Sequence, residues 1–164
     1  MGDAHQLHHM RLHTNEITDV QEIEAILGNG KYAVIAMCRE NEPYIVTLSC
    51  GYDRENDALY FHSAATGLKL EIIRSNPRVC ATVIEDNGYQ DGNCAHSYRS
   101  VVLYGELSAV TETAEREHGI RCMLCQLEQN PDALADKYLQ SEKFLRGTTI
   151  LKLAVYAKRG KSGQ

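Results

Sequence analysis

The sequence predicts a mainly β domain with flanking helices. Three observations carry that expectation: strand-like runs broken by short clusters of turn residues, helical periodicity confined to a few stretches, and no apolar run longer than residues 32–38. A membrane-spanning helix needs roughly eighteen consecutive apolar residues, so no span is expected. At 164 residues there is room for about one domain. A fold of this size hides roughly 70 % of the surface its unfolded chain exposes, enough for a core and an enclosed ligand site without a disulfide or structural metal.

The elements follow in order. Residues 1–14 are polar and hold four of the seven histidines, which reads as a disordered His-rich leader outside the fold and not as a secretory signal. Metal binding by that leader is the alternative. The domain then runs over 15–161. Thr18 and Gln21 suggest a capping box, and Val20, Ile23, Ile26 and Leu27 follow at helical spacing until Gly28-Asn29-Gly30 stops the helix. Strand-like runs at 31–39, 43–52 and 58–63 form a meander of hairpins. In the second, Tyr44, Val46, Leu48 and Cys50 alternate with Ile45, Thr47 and Ser49, giving one apolar face and one bearing hydroxyls. A short helix is expected at 66–75, closed by Asn76-Pro77, then a strand at 78–85 and a turn-rich loop at 86–96 holding Gly88 and Gly92. Residues 98–110 form a long strand in which Gly105 marks a bulge or barrel corner. Ile120, Met123, Leu124 and Leu127 lay an apolar stripe on a helix over 112–129, and Asn130-Pro131-Asp132 opens another, to about Leu139. The last strand covers 148–158, with polar residues from Gly160 and a tail at 162–164.

Seventeen Lys and Arg against twenty-two Asp and Glu give a net charge of −5 with no basic cluster, which argues against a nucleic-acid surface. Six cysteines with no export signal read as reduced thiols in a cytoplasmic protein.

The sharpest chemical feature is the stretch from Leu59 to Lys69, a strand turning through small and hydroxyl residues into a helix with lysine in its first turn. Such a turn aims free N–H groups and the positive helix end at one point, which suits a phosphate; Ser63, Thr66 and Lys69 could add hydroxyls and charge. The alternative is an ordinary N-cap at Thr66 and an ordinary surface lysine. The glycine pattern of a P-loop is absent.

The succession Tyr60-Phe61-His62-Ser63-Ala64, Gly67-Leu68-Lys69, Asn76-Pro77-Arg78-Val79-Cys80 and Tyr98-Arg99-Ser100-Val101, with Gly105 beyond, resembles the pyridoxamine 5′-phosphate oxidase-like flavin-binding split-barrel superfamily, nearest to its nitroimidazole-resistance (Nim) branch. The resemblance runs from about Ile17 to Lys161 and is weakest over 112–146. It implies a six-stranded antiparallel split β-barrel, a homodimer, and FMN between the subunits. It implies further that the phosphate lies at Ser63, Ala64 and Lys69, that Val46, Thr47, Leu48 and Ser49 run along the flavin, and that Tyr98, Arg99 and Ser100 sit close to it. His62 matches a histidine that the Nim branch places beside the cofactor and is the catalytic candidate; its alternative is a strand-edge histidine held by a neighbour. Arg99 is otherwise a surface ion pair and Tyr98 a core residue. Relatives often carry arginine where this chain has Leu68, so the phosphate would lean more on Lys69 and backbone N–H groups. The implied activity is an FMN-dependent oxidoreductase reducing a small electrophilic substrate, nitro compounds being one class, with electrons from a reduced nicotinamide or another donor. The alternative is a non-catalytic flavin or haem carrier on the same barrel, with His62 or His96 as iron ligand.

Glu115, His118, Cys122, Cys125 and Gln129 fall on one helical face, opposite the apolar stripe. A His-x3-Cys-x2-Cys face can offer soft metal ligands or a thiol pair, but packing against a partner element is the favoured reading and no metal is expected.

Overall fold

A computed structural model of the chain describes residues 13–163. The leader expected at 1–14 therefore lies outside the described residues, except that His13–Asn15 form a 3-10 turn. Seven strands follow: β1 (Glu16–Ile17), β2 (Tyr32–Arg39), β3 (Glu42–Asp53), β4 (Ala58–Ala64), β5 (Arg78–Gln90), β6 (Ala95–Ala109) and β7 (Thr148–Gly163). Five helices are interspersed: α1 (Val20–Asn29), α2 (Leu68–Ser75), α3 (Thr113–Leu127), α4 (Pro131–Leu139) and α5 (Glu142–Gly147).

The sheet order is β1-β7-β4-β3-β2-β5-β6, and β6 also pairs with β7. β2 to β7 thus close an antiparallel six-stranded ring, the expected split barrel, while β1 adds a two-residue rung on β7 at Gly160 and Lys161. Closure removes both sheet edges, which would otherwise present unpaired N–H and C=O groups. Alternation along each strand sends one set of side chains inward. Ala33, Ile35, Leu59, Phe61, Leu103 and Leu153 are fully buried there, and α1 and α2 add Ile26, Leu27, Leu70 and Ile72 to the same core. Each such Leu, Ile or Phe contributes about 2 kcal/mol by leaving water. The expected bulge at Gly105 is present: the β6–β7 register shifts between Tyr104 and Gly105, and a Cβ there would lie 2.3 Å from the Ala154 carbonyl oxygen.

A second, smaller core lies outside the barrel, where Ala58, Tyr60 and Ile150 meet Ile120 and Met123 of α3. Two glycines permit this approach. A Cβ on Gly51 would stand 2.5 Å from Met123 Cα, and one on Gly119 would stand 2.6 Å from the Tyr60 ring.

Five local expectations are corrected. The α1 cap is Asp19, whose carboxylate accepts the Gln21 N–H at 2.9 Å, because a carboxylate one residue closer to the first turn outcompetes the Thr18 hydroxyl. Helix α2 is capped by Gly67 at φ 134°, not by Thr66, and has no side-chain cap bond. The expected loop at 86–96 is mostly hairpin: β5 runs to Gln90 and β6 begins at Ala95, with the register shift between Asp86 and Tyr89 absorbing Gly88 at φ 92°. The polar segment from Gly160 is strand, since it pairs with both β1 and β6. Helix α5, capped by Ser141 on the Phe144 N–H, was not expected.

Candidate functional site

β4 alternates so that Ser63 points inward and is buried while His62 and Ala64 point out to solvent. Beyond Ala64 the chain is pinned by the Ala65 N–H to the Gly147 carbonyl at 3.1 Å, then turns at Gly67 into α2. Gly67 accepts from Leu70 and Glu71, leaving the amides of Leu68 and Lys69 in the first turn without a helical acceptor. The Lys69 ammonium donates to Ser63 Oγ at 2.8 Å, and Ser63 Oγ donates to the Ala64 carbonyl at 3.1 Å. The turn therefore gathers a fixed cation, a buried hydroxyl, first-turn amides and a helix dipole, all of the sign a phosphate needs. Leu68 points to solvent, 45 % exposed, and adds no charge.

On β3, Val46 and Leu48 pack inward on the core while Thr47 and Ser49 stand on the outer face. That is the face His62 occupies, and Ser49 and His62 line one cavity. A flavin along this strand would meet the hydroxyls of Thr47 and Ser49 but only the backbone of Val46 and Leu48. The outer face extends across β2 and β5, where Thr47, Val34 and Thr82 form one row, and it exposes Tyr32, Ile45 and Ile84 at 53, 66 and 48 %.

Tyr98, Arg99 and Ser100 lie elsewhere in the same chain. Ser100 pairs with Lys161 and His62 with Ile150 along β7, while on the other side of the ring Thr47, Val34, Thr82 and Val102 stand in one row that ends two residues along β6 from Ser100. The Arg99 guanidinium is already engaged. It grips Glu85 through two nitrogens at 2.7 and 3.0 Å and Glu22 of α1 at 3.1 Å, bonds that raise its pKa further above the usual arginine value. Tyr98 packs its ring against Gly163, beneath the Lys161 ammonium at 5.5 Å. His96 Nε2 lies 2.7 Å from Asp86 on the exposed hairpin, and the hydrogen bond from His96 holds that carboxylate below its ordinary range.

Much of the polar face of α3 is engaged, though Cys125 is exposed and Gln129 lies beyond the end of the helix. His118 lies 2.7 Å from the Asp53 carboxylate and edge-on to Tyr60, and Glu115 accepts from Lys152 at 2.5 Å and from Tyr60 at 3.4 Å. Burial alone would raise the Asp53 pKa, but the bonds from Asn56 and His118 outweigh it and hold the carboxyl below its usual value. Burial pushes the Cys122 and Cys50 thiols up to about 12. Among the described residues no group of three or more His, Cys, Asp or Glu is placed to hold a metal ion. Sequence reasoning passed over Gln126. Its carbonyl accepts the Tyr52 N–H at 2.7 Å, and its amide donates to Leu27 at 3.0 Å and to Gly30, tying α3 to β3 and to the end of α1. A lone glutamine whose partners are distant in sequence leaves no local signal.

A closed six-stranded ring with short helices on its rim and an anion-compatible turn after β4 is a split barrel. Residues 19–162 match the model of the pyridoxamine 5′-phosphate oxidase family, and the chain belongs to that family, near its nitroimidazole-resistance branch. A candidate 5-nitroimidazole antibiotic resistance protein from Bacteroides thetaiotaomicron VPI-5482 is 25 % identical, with 95 % of this chain and 96 % of that one covered at a TM-score of 0.73. The flavocytochrome Anf3 of Azotobacter vinelandii shares the fold at a TM-score of 0.77 and 21 % identity, over 94 % of this chain and 72 % of that one. So does an FAD and haem binding protein of Mycobacterium smegmatis, at 0.71 and 18 %, over 92 and 74 %. An uncharacterised protein of Rhizobium meliloti, RA0666, is 29 % identical over 98 residues, which span 60 % of this chain and 59 % of that protein's length. No helix among the described residues is long and apolar enough to cross a membrane.

Proposed function

We propose that this chain is a homodimeric, cytoplasmic FMN-binding oxidoreductase that reduces a small electrophilic substrate, with nitro compounds as one class. The observation that carries the reading is the 2.8 Å bond between Lys69 and Ser63 at the turn into α2, which fixes a cation beside unpaired first-turn amides. Lys69, Ser63 and the backbone following Ala64 would hold the terminal phosphate, and Thr47 and Ser49 would face the ring system. The flavin itself supplies the electron and hydride chemistry. His62, exposed and without a hydrogen-bond or ion-pair partner among the described residues, is free to orient a substrate or pass it a proton. In this homodimer Tyr98 to Ser100 of one copy would border the flavin held by its twofold partner. Exposed Ile45, Tyr32 and Ile84 give that partner an apolar face to cover.

Titration with FMN and FAD tests the reading. FMN is expected to bind more tightly, because the turn offers a terminal-phosphate site and nothing resembles a dinucleotide fingerprint. Equal or tighter FAD binding, or no flavin uptake by folded protein, defeats it, and light scattering is expected to give a dimer. The uncommitted imidazole of His62 also supports a second reading, a flavin or haem carrier. A visible spectrum followed by anaerobic NADH or NADPH separates the two: a bound flavin that bleaches with donor and reoxidises with a nitroaromatic is an enzyme, and a Soret band marks the carrier.

A further inference from the structure

A cavity of about 230 Å³ lies between the outer face of β3–β4 and helices α3–α5. Its wall is apolar: Ile120, Leu124 and Leu127 of α3, Leu134 of α4, and the rings of Tyr138 and Phe144, stacked with centroids 4.6 Å apart. Only three of its lining residues besides Tyr138 are polar. Ser49 and His62 stand on the barrel side, and Glu128 stands at the C-terminal end of α3. None of these three side chains has a hydrogen-bond or ion-pair partner among the described residues. Convergent, unspent polar groups in an apolar hollow are the mark of a small-molecule site.

The charge at its mouth is negative twice over. The Glu128 carboxylate sits where the helix dipole of α3 also presents its negative end. Lys137 borders the shallower depression outside Glu128 but forms no ion pair with it. An apolar cavity of about 150 Å³ holds a benzene ring, so this one has space for a ring and a short arm.

We propose that this cavity binds a small arylalkylamine, its ring against Tyr138, Phe144 and Leu124 and its protonated nitrogen toward Glu128. The opposite end of such a ligand then faces Ser49 and His62. Its use as a substrate pocket rests on the flavin reading above, but the binding site itself does not.

Calorimetric titration of the full chain, with and without FMN, using 2-phenylethylamine, 2-phenylethanol and phenylacetate tests it. The amine is expected to bind about fivefold more tightly than the alcohol, the most that an exposed carboxylate usually contributes, and phenylacetate more weakly than either. Glu128→Gln should erase that preference and leave the alcohol unchanged. Leu124→Trp should weaken all three at least tenfold with FMN affinity and melting temperature held; Leu134→Phe serves if the tryptophan variant does not fold. No binding of any probe, a preference for phenylacetate, or an amine preference that survives Glu128→Gln overturns the proposal. Protein that takes up the amine but no flavin refutes the flavin reading and leaves this site standing. Protein that takes up flavin but no amine refutes the site alone.

Discussion

The turn after β4 and the polar face of α3 carry similar inventories of hydroxyl, basic and acidic residues, yet they end in opposite states. On α3 much of the polar face is engaged: His118 with Asp53, Glu115 with Lys152 and Tyr60, Gln126 with three backbone groups. At the turn, Lys69 keeps donors in hand after bonding Ser63, and the first amides of α2 have no acceptor within the helix. Hydrogen-bonding capacity left over, more than residue type, separates a site that waits for a ligand from one that holds the molecule together.

The largest expected effect lies on the structural side. Gly51→Ala puts a methyl 2.5 Å from Met123 Cα, a backbone atom that cannot swing aside. A loss of about 3 kcal/mol is expected, read as a fall of about 6–12 °C in melting temperature. An unmoved melting point would mean that α3 is not seated firmly on β3. Next is Lys69→Glu, which replaces attraction at the phosphate by repulsion. FMN affinity should fall at least tenfold, about 1.4 kcal/mol or more, with the melting point of the flavin-free protein unchanged. Unchanged affinity in a folded variant would make Lys69 a surface lysine and erase the contrast between the regions.

Acid sharpens the comparison further. The folded Asp53 carboxyl lies below its unfolded value, so its contribution to stability is complete above the unfolded pKa of about 3.9 and is lost as pH falls through the folded one. Urea midpoints taken between about pH 6 and pH 2 should fall less steeply for Asp53→Asn than for the parent; equal slopes would show that His118 and Asn56 do not hold the carboxylate. The smallest effect belongs to Cys122→Ser with Cys125→Ser, expected to keep flavin binding and to cost on the order of 1 kcal/mol for the half-buried thiol. Stoichiometric zinc or iron that disappears in this double variant would turn α3 into a second functional site.

Most of the barrel was legible because strand alternation is local. The in-out pattern of Tyr44 to Cys50 and the bulge at Gly105 follow directly from side-chain period and from a position where a Cβ does not fit. The hairpin at 86–96 was not, because Asp, Asn and Gly advertise a turn while the pairing of Tyr89 with His96 that overrides it is tertiary. The segment after Gly160 misled for a related reason: small polar residues read as a tail, yet Gly163 is small because the Tyr98 ring lies where its Cβ would be, 2.4 Å away. Ser63 and Lys69 come together within seven residues, so the sequence could pair them. The cavity above His62 needs three helices to converge on a strand, which no local pattern records.

β7 borders β1, β4 and β6, so the ring has no closure until residues 148–163 have been made. During synthesis the nascent chain carries an open sheet whose two rims, β4 and β6, remain unpaired while α3 to α5 are translated. Each rim is a template for any passing strand until β7 fills it.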